Sequence, residues 1–300
     1  MLVIACSNGK DVGKKLAKRL GASYSELYKE IFPDGELHLR FNVNVKEKEV
    51  VLVQSTAPSP NDNLLELVFA IKTAKELGAS KVSVVAPYFC YMRQDNRFHP
   101  GEIKSNTIAS HLIQHAGADE FYTVAGHLHR VNSLRELFSI PAYNLHVFDE
   151  MALWVKKNFG KNVVIVGPDI ESWRVGKHVA QMIGCEYDTF LKKRLSGRKI
   201  HHTSLAHVNA KGKDVVIIDD IVSTGGTVIG AARHLKKMGA KSVSCVCVHL
   251  MSDAVGQKLL KNGIKKVAAS NTVKTKYSVL DASATIANIM RNQSVLIPLK

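Results

Sequence analysis

The sequence predicts an α/β protein made of two similar units, each a mainly parallel sheet flanked by helices. Three observations predict this fold class: short apolar runs typical of buried strands, amphipathic segments between them, and the same order of elements in both halves. In chain order, the apolar runs predict strands at Leu2–Ala5, Val50–Val53, Lys81–Pro87, Phe121–Ala125, Val163–Gly167, Asp214–Ile218 and Ser242–His249.

A helix is predicted at Asn61–Ala79, where apolar residues recur with helical spacing and a glycine follows the last turn. The stretch LGASKVSVVAPY, which begins at Leu77, is echoed by MGAKSVSCVCVH, which begins at Met238. Each stretch follows an amphipathic segment, and another strand and a polar loop lie upstream of each. Because the order of elements repeats, the chain is predicted to contain two copies of one α/β unit.

We divide the chain into an N-terminal domain, residues 1–145, and a C-terminal domain, residues 146–300. The boundary is placed near residues 143–150, although no low-complexity linker marks it. The sequence leaves open whether the final segment, Ile286–Lys300, packs back against the first domain.

The chain is strongly basic, with 41 Lys and Arg residues against 26 Asp and Glu residues and a formal net charge of +15 at pH 7. This charge favours anionic partners. Because it is spread along the chain, we expect phosphorylated small molecules, and no requirement for nucleic acid. No apolar run approaches the roughly 20 residues of a membrane span, so no membrane partner is expected.

The cysteines indicate a reducing compartment. There are five, an odd number, and none forms a C-x-x-C pair. A disulfide framework or a structural zinc site is therefore not expected, and a cytoplasmic location is predicted.

The segment VVIIDDIVSTGGT, Val215–Thr227, joins a buried strand, two acids and a glycine-rich loop. In a parallel sheet, ligands bind beyond the carboxyl ends of the strands, where Asp219 and Asp220 are expected. Gly225 and Gly226 let backbone N–H groups approach a phosphate, and the following helix adds partial positive charge. The loop also carries hydroxyl donors, at Ser223, Thr224 and Thr227.

The two acids need a different partner from the loop, because carboxylates repel phosphate. The vicinal hydroxyls of a sugar suit them, since a carboxylate accepts hydrogen bonds, and a divalent metal ion is the alternative. The segment therefore predicts a sugar phosphate as ligand, with the phosphate in the loop and the hydroxyls on the acids.

The same segment resembles the phosphoribosyl-diphosphate-binding loop of type I phosphoribosyltransferases. The chain as a whole is similar to the ribose-phosphate pyrophosphokinase family, through stretches that occur in the family's order: FPDGE (Phe32–Glu36), APYFCYMRQDNRFHPGE (Ala86–Glu102), FSIPAYNL (Phe138–Leu145), PDIES (Pro168–Ser172) and LKKRLS (Leu191–Ser196). The resemblance implies two phosphoribosyltransferase-like domains. It also implies transfer of the diphosphoryl group of ATP to the C1 hydroxyl of ribose 5-phosphate, which yields phosphoribosyl diphosphate and AMP.

The resemblance further implies that ATP is held by the first domain, through Arg93, Gln94 and Arg97. Taken alone, Arg93 and Arg97 could equally lie on an exposed helix face, and FPDGE is a plain turn signal. In the family, the FPDGE segment contacts adenine across a subunit interface. A homo-oligomer with a shared ATP site is therefore expected, with the contacts made by Phe32, Asp34, Gly35 and Glu36.

A magnesium site is implied by the same resemblance, at His127 and Asp169. His127 and His129 form H-x-H, but zinc typically needs a third protein ligand and none lies nearby in the sequence. Magnesium prefers oxygen, so Asp169 and substrate phosphates are expected to dominate its coordination. The chain departs from the family here, because many relatives have Asp at the position of Ala125. It departs again near Glu171–Ser172, where many relatives have Gly-Gly.

The segment Leu191–Lys213 is basic, hydroxyl-rich and almost without apolar periodicity, which predicts a loop. Its composition alone is also that of a solvated surface loop. The resemblance implies a catalytic flexible loop, in which Lys192 stabilises charge on the transferring phosphoryl group and Arg194 assists. Lys193 is an alternative for the role of Lys192.

Two alternative functions remain at this stage. One is a phosphoribosyltransferase, which would attach ribose phosphate to a base without ATP. The other is a non-catalytic relative that binds nucleotides and regulates a partner, which Ala125 favours.

Overall fold

The computed structural model describes residues 1–97, 99–128, 133–194, 200–203 and 209–292. The chain forms two compact units. The first comprises Met1–His146 together with the helix that begins at Ala282, and the second comprises Val147–Asp281. None of the helices in the described part of the chain is long and apolar enough to cross a membrane.

The first unit contains a seven-stranded sheet and four helices around it. Its strands are β1 (Leu2–Ala5), β2 (Ser23–Ile31), β3 (Leu37–Phe41), β4 (Glu49–Val53), β5 (Lys81–Ala86), β6 (Glu120–Val124) and β7 (Ala142–Leu145). Its helices are α1 (Lys10–Leu20), α2 (Pro60–Glu76), α3 (Ser105–His115) and, at the other end of the chain, α8 (Ala282–Asn292).

The strand order β3-β2-β1-β4-β5-β6-β7 places a reversal between β1 and β4. From β1 the chain passes through α1 to β2 on one side, and from β4 it passes through α2 to β5 on the other. All neighbours are parallel except β2 and β3, which form an antiparallel hairpin. Such a reversal opens a crevice at the carboxyl ends of the two strands.

The second unit repeats this plan with a six-stranded sheet. Its strands are β8 (Val163–Gly167), β9 (Glu186–Thr189), β12 (Asp214–Val222), β13 (Ser242–Leu250), β14 (Val267–Ser270) and β15 (Ser278–Leu280), and a separate antiparallel pair is formed by β10 (Leu191–Arg194) and β11 (Ile200–Thr203). Its helices are α4 (Phe148–Phe159), α5 (Trp173–Ile183), α6 (Gly226–Lys237) and α7 (Asp253–Lys261).

The order of the second sheet, β15-β14-β13-β12-β8-β9, puts the reversal between β8 and β12. Every neighbouring pair in it is parallel. Apolar residues on each face are fully buried, as parallel strands covered by helices require. Asp169, which follows β8, and the acid pair of β12 both lie at the carboxyl-terminal edge where this reversal occurs.

The predicted fold class is confirmed, and each of the seven predicted strands is present within one or two residues except the strand at Asp214, which extends further. The predicted helix at Asn61–Ala79 is α2, which begins at Pro60 and ends at Glu76. The predicted loop at Leu191–Lys213 contains the antiparallel pair β10 and β11, in which all four residues of each strand pair backbone to backbone. Their sequences lack the apolar pattern from which strands were predicted elsewhere.

The chain passes from the first unit to the second between His146 and Val147. Helix α8 belongs to the first unit and not to the second. The reason is its packing against α1: Ile286 and Ala287 are buried, and the Arg19 Nε donates to the Ser283 Oγ at 3.0 Å.

Candidate active site

The acid pair lies inside β12 and not beyond it, which corrects the predicted strand end at Ile218. Strand β13 continues beside it, pairing Asp219 with Cys247 and Val222 with Leu250. The ladder to β8 stops at Ile217. The strand therefore carries its two carboxylates past the end of β8, on the side where the sheet reverses.

The two carboxylates differ in exposure. Asp219 is 8% exposed, while Asp220 is half-buried. The backbone N–H of Asp220 donates to the Asp219 Oδ1 at 3.0 Å. Burial, followed by the negative charges of Asp220 and Asp169, raises the pKa of Asp219 well above its usual range. The site thus concentrates negative charge, and hydroxyl donors or a cation would stabilise it.

The loop after β12 opens helix α6 with free donor groups. Gly225 has φ +76°, a left-handed conformation that suits glycine, and a Cβ there would lie 3.0 Å from the Leu259 Cδ2. Among the described residues, no side chain caps the helix. The first N–H groups of a helix have no intrahelical acceptor, so those at Gly226 and Thr227 are available to an anion. Thr224 is exposed and Ser223 half-buried, which leaves both hydroxyls accessible.

Asp169 follows β8 in a tight turn closed by Ser172. The buried Ser172 hydroxyl donates to the Asp169 carbonyl oxygen at 2.6 Å. A Cβ at Gly167 would lie 2.4 Å from that Ser172 Oγ, so the glycine is required for this turn. The serine at the position where many relatives have glycine thus serves to fix the backbone that presents Asp169. The charge of Asp169 contributes to the raised pKa of Asp219, which brings these two predicted residues together.

The residues predicted to hold ATP lie in the first unit, between β5 and α3, and not on a helix face. Arg93, Gln94 and Arg97 are all exposed. The Gln94 side chain accepts a hydrogen bond from the Ser105 hydroxyl, and the Arg97 Nε donates to the Glu102 carbonyl oxygen at 2.9 Å. A cleft of about 520 Å³ lies beside Arg97 and is also lined by Lys104, Ile103 and Ile108. The segment therefore combines cationic donors with an apolar recess.

FPDGE forms the turn of the hairpin between β2 and β3, as its Pro and Gly predict. The Glu36 N–H donates to the Asp34 Oδ1 at 3.2 Å, and Gly35 has φ +95°. The Phe32 ring is 43% exposed and stacks on the His38 ring, with centroids 5.4 Å apart. The hairpin lies at one edge of the first sheet, and its tip carries an exposed aromatic ring.

The predicted metal ligand His127 follows β6, is half-buried and does not lie in a strand. His129 lies outside the described residues. Ala125 has φ +44° and is held there by its N–H, which donates to the Leu145 carbonyl oxygen at 2.7 Å. Asn and Asp adopt this conformation more readily than alanine. Ala125 therefore has a backbone conformation that suits the Asp of many relatives better than it suits alanine.

His127 belongs to the first unit and Asp169 to the second. Across the described ranges, no group of three or more His, Cys, Asp and Glu side chains is placed to hold a metal ion. The donor set near Asp169 and the β12 acids consists of carboxylate oxygens, which fits magnesium. Substrate oxygens would have to complete its coordination.

Lys192 and Arg194 lie in β10, where their backbones pair with His202 and Ile200 of β11. The structure describes the backbone at these positions and not their side chains. The segments 195–199 and 204–208, which the predicted catalytic loop also includes, lie outside the described residues.

The reversal point of the first unit is occupied by its own side chains. The Glu66 carboxylate of α2 is fully buried and accepts from the Ser7 N–H at 2.8 Å, the Ser7 hydroxyl at 2.5 Å and the Lys29 Nζ at 2.9 Å. The Asn8 N–H donates to the Gln54 Oε1 at 2.8 Å. Sequence reasoning did not find this network, because a single acid in an amphipathic helix carries no signal of burial.

A second residue that sequence reasoning missed is Lys258 of α7. Its Nζ donates to the Thr224 carbonyl oxygen at 2.9 Å, in the middle of the glycine-rich loop. No sequence signal distinguishes this lysine from the other basic residues of the chain.

Comparison with known proteins finds a matching protein family for each half of the chain. Residues 1–117 match the family described as the N-terminal domain of ribose phosphate pyrophosphokinase. Residues 135–284 match the family described as the phosphoribosyl transferase domain.

Full-length relatives carry the same name. The chain is 37% identical to a ribose-phosphate pyrophosphokinase of Methanothermobacter thermautotrophicus, over 97% of this chain and 100% of the relative. It is 34% identical to one of Methanopyrus kandleri, over 98% of this chain and 100% of the relative. The crystal structure of phosphoribosylpyrophosphate synthetase from Mycobacterium smegmatis superposes with a TM-score of 0.84 at 24% identity, covering 98% of this chain and 99% of that one, and shows the same fold.

Proposed function

This chain belongs to the ribose-phosphate pyrophosphokinase family, an enzyme family, and from that premise we propose that it transfers the diphosphoryl group of ATP to ribose 5-phosphate. The observation that carries the proposal is the β12 acid pair followed by the loop that opens α6. One segment of chain offers carboxylates for sugar hydroxyls and N–H groups for a phosphate. The loop 223–227 takes the 5-phosphate, and Asp219 and Asp220 take the ribose hydroxyls.

In the proposed reaction the C1 hydroxyl oxygen of ribose 5-phosphate forms a bond to the β-phosphorus of ATP. The bond from that phosphorus to the oxygen bridging the α-phosphorus breaks, and AMP leaves with this oxygen. The hydroxyl proton passes to solvent. Such transfers depend on positioning and on neutralising charge. Arg93, Gln94 and Arg97 are the proposed ATP-binding residues, and Lys192 with Arg194 is proposed to stabilise charge on the group in transfer.

Magnesium is the proposed cofactor, with His127 and Asp169 as its protein ligands. Bound magnesium would neutralise phosphate charge, which is its usual contribution to phosphoryl transfer. Support comes from the carboxylates of this site: burial, followed by the negative charges of Asp220 and Asp169, raises the pKa of Asp219, and a bound cation would offset that charge. Asp169 would supply an oxygen ligand, and the turn closed by Ser172 fixes its backbone.

We propose that the enzyme is a cytoplasmic homo-oligomer in which FPDGE of one subunit completes the ATP site of another. The exposed Phe32 ring at the hairpin tip supports an adenine contact. Adjacent helices α2 and α3 expose large apolar side chains, as interfaces between subunits do: Leu65, Phe69, Ile108 and Leu112. Light scattering after size-exclusion chromatography tests this, and a mass of one 33.0 kDa chain would contradict it.

Phosphorus NMR of the purified protein with ATP, magnesium and ribose 5-phosphate tests the proposed reaction. The expected result is AMP together with a new sugar-linked diphosphate. Omitting ribose 5-phosphate is the control, and it should leave ATP intact. Turnover of a nucleobase without ATP would favour a phosphoribosyltransferase instead. Absence of turnover with magnesium, manganese and added phosphate, while nucleotide still binds, would contradict the proposed activity.

A further inference from the structure

Helix α7 supports the glycine-rich loop through consecutive residues. The Lys258 Nζ donates to the Thr224 carbonyl oxygen at 2.9 Å. Leu259, the next residue, has its Cδ2 3.0 Å from the position a Cβ would take at Gly225. Val255, one turn earlier, lies 3.7 Å from the same position. The middle of the loop is thus held by one helix, with a charged contact on one peptide and apolar contacts on the next residue.

The contact of Lys258 fixes the orientation of one peptide plane. The bond between Thr224 and Gly225 is trans, so its carbonyl oxygen and its N–H lie in one plane and point in opposite directions. With the carbonyl held by the Lys258 ammonium, the Gly225 N–H is turned the other way. Within the described residues this N–H donates to no protein acceptor. It is therefore oriented and available, beside the first N–H groups of α6.

Charge strengthens the effect. The loop 223–227 contains no basic residue, and it directly follows the Asp219–Asp220 pair and two apolar residues. A cation on a peptide carbonyl polarises that peptide and makes its N–H a better donor. In the described part of the chain, Lys258 thus brings a positive charge into hydrogen-bond contact with a loop that has none of its own.

We propose that Lys258 is a positioning residue for the phosphate of ribose 5-phosphate, acting through the Thr224–Gly225 peptide. This inference rests on the proposed function, since it concerns the same loop. It implies that the loop is preorganised for phosphate by a side chain from the following helix, and not by its own glycines and hydroxyls alone.

Steady-state kinetics of Lys258→Met, which keeps the length of the side chain and removes the ammonium, tests the inference. The KM for ribose 5-phosphate should rise between about 10-fold and 100-fold, the range expected for losing a hydrogen bond to a charged group. The kcat and the KM for ATP should stay within about twofold. Lys258→Arg should restore most of the affinity. Lys261→Met, on the same helix, is the matched control and should behave as the unchanged protein.

A merely structural role would lower kcat or alter both KM values together, and that outcome would overturn the inference. An unchanged KM for ribose 5-phosphate in Lys258→Met, or an equal rise in Lys261→Met, would overturn it as well. Direct calorimetry of ribose 5-phosphate binding separates this failure from failure of the proposed function. If the enzyme makes no product but Lys258→Met still weakens binding, the inference stands and the reaction is wrong. If ribose 5-phosphate does not bind the unchanged protein, both are wrong.

Discussion

Replacing Glu66 by glutamine should destabilise the first unit by about 3 kcal/mol. The Glu66 carboxylate is fully buried and accepts three hydrogen bonds, two from Ser7 and one from Lys29. Glutamine preserves the shape but turns an NH₂ group toward donors, and it leaves the Lys29 ammonium without its counter-charge. Removing one partner of a buried ion pair costs about 3–5 kcal/mol. The Lys29 side chain is 19% exposed, so partial hydration places the expected loss at the low end.

Urea unfolding of the full chain provides the measurement, followed by far-UV circular dichroism and by tryptophan fluorescence. Both tryptophans, Trp154 and Trp173, lie in the second unit, so fluorescence reports that unit separately. Glu76→Gln is the matched control on the same helix, because the Lys72–Glu76 pair is 62% exposed on both sides at 3.9 Å. It should change stability by less than about 0.5 kcal/mol. A loss below about 1 kcal/mol for Glu66→Gln would refute the assignment of a buried, stabilising ion pair.

Three further predictions concern the second unit. Gly225→Ala should cost about 1–2 kcal/mol of unfolding free energy, because φ is +76° and Leu259 is close. Gly226→Ala, whose Cβ would lie 3.7 Å from its nearest neighbour, should cost less than about 0.5 kcal/mol, and equal losses in denaturation would contradict the geometry. Burial and neighbouring carboxylates raise the pKa of Asp219 above its value in the unfolded chain, so ionisation of Asp219 opposes folding. Asp219→Asn should therefore increase the free energy of unfolding at pH 8, and this gain should vanish near pH 4, where the carboxyl is protonated in both states. The same substitution should weaken ribose 5-phosphate binding. A gain that is independent of pH would argue against this cause. Lys192→Ala should lower kcat by about 100-fold or more in the AMP assay, while calorimetry shows that ribose 5-phosphate still binds. Lys193→Ala should lower kcat by less than about tenfold. Equal loss of binding and turnover in Lys192→Ala would remove Lys192 from the transfer step.

Apolar patterning predicted the strands that are buried on both faces, because each of them is a continuous run of apolar residues in the sequence. Strand β2 has one buried residue, Leu27, along nine positions, and its polar sequence gave no such run. Strand β12 was predicted too short because its last residues include Asp219 and Asp220. Their burial is determined by pairing with β13, and a sequence pattern does not contain that partner.

The site residues were predicted in part from physics and in part from resemblance. The glycine-rich loop and the acid pair could be derived from their residue types, because few other groups serve a sugar phosphate. Lys258 and Glu66 could not, because their roles arise from contacts 34 and 59 residues away along the chain. Such long-range pairs depend on the packing of whole helices against the sheet ends.

The two units show why one copy of a duplicated fold keeps a phosphate loop and the other does not. In the first unit, α2 begins with Pro60, which has no N–H, so the helix N-terminus has lost a donor. The Ser7 N–H at the same reversal point is bonded to the internal Glu66 carboxylate, and the Asn8 N–H to Gln54. An anion arriving there would have to displace a buried ion pair. In the second unit, α6 begins at Gly226, and among the described residues no side chain caps its first N–H groups. Backbone N–H groups at the reversal point of the first unit bind internal side chains, whereas those at the start of α6 remain available to a ligand. This difference confines the proposed ribose 5-phosphate site to the second unit.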